Sequence, residues 1–396
     1  MPATPSLPAA GSELFPPPVR VPPLAGTGGE EIGWIQQIVN VYINRLHTTG
    51  RSGVTIMAAE HGRPTLKDVA QRAGVSIATA SRAMANNPAV ATTTRTHIQA
   101  LAAEMGYLPN AQARALQSSR SNTIGIVVPS LINPYFATMV SAVQNAAEGA
   151  GLATIITNTD ERPETMAASL AFLASHGVDG IICVPDEACA DQLNNLHAQG
   201  MPLVLIDREL TGSPIPTVIS DPQPGMDAAV SLLVEHHALP IGYLSGPLST
   251  STGRARLEAF QQACRNNERE PQLVFHGGFE QEQGYQGATH LLNHGARALV
   301  AGDTMMTIGV LQACHRAGLS IGEGISVIGF DNQPVFALQP RPLTVIDQQV
   351  DVMARQAFTV LHGLLTGTKP TESTQTHLVT PTILIQGDSL MKGPQP

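Results

Sequence analysis

From Asn122 onward, short apolar runs alternate with longer amphipathic segments, and this alternation restricts the fold more than any other feature of the chain. TIGIVVP precedes a helical stretch at 135–150, ATIIT one at 164–175 and GIICVP one at 190–199, after which comes PLVLID. The series resumes with IGYLSG, helices at 253–266 and 280–293, ALVAG, a helix at 305–317, ISVIGF, LTVID and a helix at 350–365. Apolar runs bounded by turn residues suit strands buried on both faces, and helices between them impose parallel crossovers. The pattern predicts two doubly wound α/β subdomains of about 130 residues each. With 43% apolar residues in a chain of 396, there is enough material for both cores.

A different texture precedes them. Leu66, Val69, Ala70 and Ala73 lie at i, i+3, i+4 and i+7, Gly74 interrupts, and Ser76 is placed to cap a second short helix. A third helix runs from Thr92, with Ile98, Leu101, Ala102 and Met105 on one face, and stops at Gly106. This is an all-α module of three short helices containing a helix-turn-helix. AQARALQSS, beyond Pro109 and Asn110, has good helix formers but too few turns to be stable without a partner.

The net charge of −9 is unevenly spread. Residues 57–121 hold seven basic side chains (Arg63, Lys67, Arg72, Arg82, Arg95, Arg114, Arg120) against Glu60, Asp68 and Glu104, a balance of +4 that leaves −13 for residues 122–396. A small basic module ahead of a large acidic one is the distribution expected when only the first meets phosphate. Residues 1–24 contain eight prolines and predict a disordered, partly polyproline segment. Residues 32–46 could form one amphipathic helix, and Met57 opens a stretch that would make an ordinary start, so residues 1–56 read as an upstream start or an appendage.

Cys183, Cys189, Cys264 and Cys314 lack CxxC pairing and read as buried thiols. The histidines are dispersed, and His236 and His237 read as surface or capping residues. No metal or cofactor is implied. There is neither a membrane-length apolar stretch nor a secretory signal, which places the chain in the cytoplasm as an expectation. GxxxxGK[ST] and HExxH are absent, so binding without chemistry is the better reading.

The second helix of a helix-turn-helix can enter the major groove. Here it spans Ser76–Ala85: Ile77 and Ala78 are positioned for apolar contact with bases, Arg82 can reach guanine, and Ser76, Thr79 and Ser81 can bond phosphates. The whole stretch TLKDVAQRAGVSIATASRAMANNPAVATTTRTHIQALAAEMGYLPNAQARALQSSRSNTIGIVVP closely resembles the N-terminal signature of LacI/GalR transcriptional regulators, and similarity continues to about Gly387. The resemblance implies a helix-turn-helix headpiece at 61–108, a hinge helix and linker at 109–121, and a periplasmic-binding-protein-like effector and dimerisation domain at 122–388. Around these lie a non-family extension at 1–60 and a tail at 389–396. It implies that Leu66, Ser76, Ile77, Ala78, Thr79, Ser81, Arg82 and Asn110 lie at the DNA, and that Leu116 of a hinge helix at 110–118 wedges into the minor groove. Ala85 and Ala91 replace polar residues common in the family, so those contacts are not carried over.

Open α/β sheets bind ligands beyond the carboxyl ends of their strands. Asp207 and Arg208 follow PLVLI, Arg254 and Arg256 follow IGYLSG, Asp303 follows ALVAG, Asp331 follows ISVIGF, and Gln348 follows LTVID. Tyr135 and Phe136 open the first core helix and Phe279 a later one. Paired carboxylates and guanidinium groups beside flat rings suit vicinal hydroxyls and the C–H face of a sugar, and their near balance disfavours a multiply charged phosphate. Asn133, Tyr135, Phe136, Asp207, Arg208, Arg256, Phe279, Asp331 and Gln348 resemble the sugar contacts of the ribose-repressor and ribose-binding-protein group. Gly302 departs from that group by offering only backbone. A nucleoside, a purine or a sugar acid remains open as effector, and a free sugar receptor is the rival class. The expected partners are near-palindromic operator DNA, a small sugar-like effector and a second copy of the chain, with ligand relieving repression of carbohydrate genes.

Overall fold

The computed structural model describes residues 64–107, 120–271, 273–367 and 377–391. The expected N-terminal extension and the hinge, including Asn110 and Leu116, lie outside them. The chain divides into two compact units between Tyr107 and Leu108.

The first unit is a bundle of α1 (Leu66–Arg72), α2 (Ile77–Met84) and α3 (Thr92–Glu104). Thr65 and Asp68 form a capping box: the Thr65 hydroxyl accepts from Asp68 N, and the Asp68 carboxylate accepts from Thr65 N at 2.8 Å. That backbone N–H foremost, and then the Thr65 hydroxyl, which donates to the same carboxylate at 2.7 Å, hold the Asp68 carboxyl below its usual value. Gly74, at φ +64°, makes the turn that an L side chain would strain. Ser76 then caps α2 by accepting from Thr79 N at 3.1 Å. Val69, Ala70, Ala80, Ala83, Val90, Ile98 and Ala102 form the core of the bundle. Gln99 Nε2 ties α3 to the end of α2 by donating to Ala83 O and Asn86 Oδ1.

Helix α3 alone in this bundle starts without a side-chain cap, because its N-cap is Ala91. Its φ of −52° and ψ of 139° suit serine. Ala91→Ser is therefore expected to stabilise the headpiece by about 1 kcal/mol, seen as a higher melting temperature of the headpiece transition.

The second unit contains two six-stranded sheets. The first is built from β1 (Thr123–Val128), β2 (Ala153–Asn158), β3 (Gly180–Cys183), β4 (Leu203–Ile206), β5 (Thr217–Asp221) and β11 (His377–Pro381). Its order is β11-β5-β4-β3-β1-β2, parallel throughout. The second uses β6 (Ile241–Ser245), β7 (Leu273–His276), β8 (Ala298–Ala301), β9 (Ser326–Phe330), β10 (Thr344–Asp347) and β12 (Ile383–Ile385), in the order β12-β10-β9-β8-β6-β7. Only β12 runs antiparallel. Strand runs such as GIIC, LVLI and ALVA are buried throughout, which is why they read as continuous apolar stretches.

Around the first sheet lie α4 (Pro134–Gly149), α5 (Pro163–Ser175), α6 (Ala190–Ala198) and α12 (Val350–Thr366). The second carries α7 (Gln223–Glu235), α8 (Ser251–Asn266), α9 (Gln281–Asn293) and α10 (Thr304–Arg316), with the short α11 (Pro334–Ala337) after β9. Each sheet is sandwiched between apolar layers, one pair of clusters per lobe.

The lobes are not consecutive halves of the chain. It passes from the first to the second after β5, returns after β10 to lay α12 on the first sheet, and crosses again between β11 and β12. These crossings are laced together: Thr382 N and Oγ1 both donate to Asp221 O, at 3.0 and 2.8 Å, and Gln349 Nε2 donates to Pro381 O at 2.7 Å.

Two placements differ from the sequence reading. Ser389, Leu390 and Met391, assigned there to a tail, are buried in the second lobe, with Ser389 Oγ donating to Val327 O and Met391 N to Ser326 Oγ. Phe279 does not open a helix but precedes Glu280, the N-cap of α9.

Candidate effector site and DNA-reading surface

On the headpiece, α2 presents Ile77 at 51% exposure, with Ala78 and Arg82 exposed beside it. Thr79 and Ser81 are half-buried, and the Ser76 hydroxyl lies 2.9 Å from that of Thr79. Leu66 packs partly against the headpiece core.

The strand-end residues of the second unit converge on a cleft between the lobes. Asn133, Tyr135, Phe136, Asp207 and Arg208 come from the first lobe, and Arg256, Phe279, Asp303, Asp331 and Gln348 line it from the second lobe or its crossing. The Asn133 side-chain carbonyl accepts from Tyr135 N at 3.1 Å, capping α4 and fixing where the ring begins. Buried Tyr135 donates from its hydroxyl to Asp207 Oδ1 at 2.7 Å. Burial, with the Asp207 and Asp331 carboxylates behind it, holds that phenol well above its ordinary pKa, so it stays a donor.

Asp207 and Asp331 occupy matching positions, each directly after the third strand counted from the β11 or β12 edge. Both are left-handed, at φ +70° and +66°, a conformation uncommon for aspartate and concentrated at functional sites. The Arg256 guanidinium donates to Gly302 O and to Gln348 Oε1, each at 2.8 Å, with its Cζ 4.4 Å from the Phe330 ring centroid. Gln348 also accepts from Ser220 Oγ at 2.7 Å and donates to Asp331 Oδ1 at 2.6 Å, while Thr304 Oγ1 donates to Asp331 Oδ2 at 2.6 Å.

Arg208 has 5% of its side chain exposed, and its two terminal nitrogens grip Glu161 at 2.9 and 2.7 Å. Its Nε is buried without a hydrogen-bond partner, 4.0 Å from Asp207 Oδ2. The half-buried Phe279 ring lies under both guanidinium groups, 5.8 Å from each.

Burial pushes the Asp303 carboxyl up to about 7 and that of Asp331 to about 6. Asp303 Oδ1 accepts from Met306 N at 2.7 Å as the N-cap of α10. Gly302 is tightly seated: a Cβ there would lie 2.4 Å from Leu244 O, so the asparagine of the ribose group would need the backbone to move.

Arg254 is not brought into the cleft. It is exposed and donates to the carbonyls of Leu248 and Ser249. Sequence reasoning passed over Glu161, Ser220, Thr252 and Thr304. The last three are hydroxyls within helical or strand contexts, and only tertiary placement distinguishes them from ordinary surface or capping residues. Among the described residues, no group of three or more His, Cys, Asp and Glu side chains is placed to hold a metal ion, and no helix is long and apolar enough to cross a membrane. All four cysteines are buried and free.

Comparison with known proteins matches both units. A model described as periplasmic binding proteins and sugar binding domain of LacI family covers residues 121–386. One described as bacterial regulatory proteins, lacI family, covers residues 65–110. The HTH-type transcriptional repressor PurR of Proteus mirabilis is 32% identical over 336 residues, 83% of this chain and 98% of that protein. Among solved structures, a probable LacI family transcriptional regulator from Corynebacterium glutamicum is 58% identical, with a TM-score of 0.64 over 68% of this chain and 99% of that one. The lac repressor dimer bound to operator and the anti-inducer ONPF is 26% identical, with a TM-score of 0.74 over 83% of this chain and all of that one. None of these three carries a ribose-repressor name, so they support the family without the finer grouping expected from the pocket pattern. The helix-turn-helix module and the two-lobed α/β core thus identify the chain as a member of the LacI family of DNA-binding bacterial regulators, which are not enzymes.

Proposed function

We propose that this chain is a homodimeric repressor that binds a near-palindromic operator and releases it when a small neutral monosaccharide enters the cleft between the lobes. The observation that carries the ligand class is the alternation of buried acceptors and donors in the cleft, above all Arg208 Nε, unpartnered and 4.0 Å from the Asp207 carboxylate. A sugar hydroxyl both donates and accepts, so adjacent hydroxyls answer a donor beside an acceptor, while the rings of Tyr135, Phe136 and Phe279 suit its C–H faces. A purine base is the second reading, favoured by the 32% identity to a repressor named PurR.

The test is calorimetric titration of the full chain with pentoses, hexoses, hypoxanthine and guanine, followed by operator-binding anisotropy with the ligand that binds. A saturating pentose or hexose that weakens operator binding supports the proposal. Binding of a purine alone replaces it with the second reading, and tighter operator binding with the sugar reverses the direction.

On the DNA side, Ser76, Ile77, Ala78, Thr79, Ser81, Arg82 and Leu66 are assigned to the operator face, with Asn110 assigned to the DNA and Leu116 to the minor groove on family resemblance alone. Arg82→Ala is expected to weaken operator binding by about 1–3 kcal/mol and relax preference at one base pair. Lys67→Ala should weaken all sequences alike and flatten the salt dependence. Equal losses on operator and random DNA for Arg82→Ala would remove it from base reading.

A further inference from the structure

The turn after β2 has an unusual backbone. Asp160 and Glu161 are consecutive non-glycine residues at φ +53° and +54°, a conformation that costs free energy and persists where surrounding contacts fix it. Asn158 supplies two of those contacts: its Nδ2 donates to the Asp160 carboxylate and its Oδ1 accepts from Leu131 N at 2.9 Å. The outcome is that Glu161, 43% exposed and not itself lining the cleft, reaches back to hold both terminal nitrogens of a guanidinium that is 5% exposed.

A free guanidinium fork is what a protein uses to grip a carboxylate or phosphate. In Arg208 the end-on pair of terminal N–H groups is taken up by Glu161, and Nε is the nitrogen left without a partner. The charge of Arg208 is also balanced by Glu161, so Arg256 stands as the remaining cation facing Asp207, Asp303 and Asp331. We infer that Glu161 is a positioning residue that makes the cleft selective for neutral ligands: it orients Arg208, balances its charge, and denies its end-on fork to anionic ones. The inference rests on reading the cleft as the effector site, and it assigns the charge selectivity of that site to a residue outside it.

The test is Glu161→Gln in the full chain, titrated by calorimetry with D-ribose, D-ribose 5-phosphate and D-ribonate beside the unsubstituted protein. Glutamine keeps the size of the side chain but frees one arm of the fork and removes the balancing charge. The ratio of anionic to neutral affinity is expected to rise by about tenfold or more. That gain should vanish when Arg208→Met is added, since the anion would be held by Arg208. A purely structural role would lower all three affinities together or leave them unchanged, and either result overturns the inference, as does an anion gain that survives without Arg208. If the unsubstituted protein binds none of the three, the monosaccharide reading is weakened but the inference is still decided. Acquisition of ribose 5-phosphate binding by the variant supports it, and a folded variant that acquires none overturns it.

Discussion

Replacing Arg256 by methionine is expected to abolish effector binding and to lower the stability of the α/β unit by about 3–5 kcal/mol, the usual cost of removing one partner from a buried charge network. Arg256 is 5% exposed and fully engaged, between Gly302 O, Gln348 Oε1 and the Phe330 ring, with Asp207 Oδ1 3.9 Å away. Methionine would fill most of the volume but leave Asp207, Asp303 and Asp331 without the positive charge that faces them. Scanning calorimetry of the full chain would show the large core transition shifted down by many degrees, and titration with a sugar that binds the unsubstituted protein would show no heat. The internal control is two residues away: Arg254→Met, on the exposed side of the same helix, should change the transition by no more than about 0.5 kcal/mol. If both variants melt alike, the network does not have the weight given to it here.

That contrast also shows where sequence reasoning reaches its limit. STGRARLEAF offers Arg254 and Arg256 equally at a strand-to-helix junction, and only the helical phase set by burial of Thr252, Gly253, Ala259 and Phe260 turns Arg256 inward. The strands that carry Asp207 and Asp331 were legible because LVLI and SVIGF are buried on both faces and so apolar without interruption. Some half-exposed strands were not. TVISD, HLVTP and the three-residue ILI have weak patterns, and β11 and β12 join sheets whose other strands lie far away in sequence. Their absence from the sequence reading hid the fact that the chain returns to its first lobe. In the headpiece, by contrast, each helix is defined by contacts within a few residues, the Thr65–Asp68 box and the Ser76 cap among them, so its architecture was readable. Glu161 illustrates the opposite case. Its link to Arg208 spans 47 residues and depends on a left-handed turn without glycine, for which composition gives no signal.

Asp303→Asn is expected to stabilise the unliganded protein progressively as pH rises from 5 to 8. Burial places the folded-state pKa of Asp303 at about 7, against an ordinary value of 3.8. Between these values the folded chain keeps a proton that the unfolded chain releases, so stability falls as pH increases through the window. The cost of ionising the carboxyl inside the fold is fully present above about pH 7. At about 1.4 kcal/mol per pKa unit, a shift of this size corresponds to roughly 4.5 kcal/mol at pH 8 as an upper bound. Asparagine cannot ionise, yet its side-chain carbonyl can still accept from Met306 N and cap α10, so the variant removes the electrostatic cost without removing the cap. Near pH 4–5 the two proteins should melt within a degree or two of each other, and by pH 8 the variant should melt several degrees higher. Asp331, raised to about 6 by the same burial and retained in the variant, contributes in the same direction, so a shallower slope should survive between pH 4 and 6. Melting curves for the two proteins that run parallel from pH 5 to 8 would mean that Asp303 is already ionised, and at no cost, in the folded state at neutral pH. The cleft would then present one more negative charge to an incoming ligand than its burial implies.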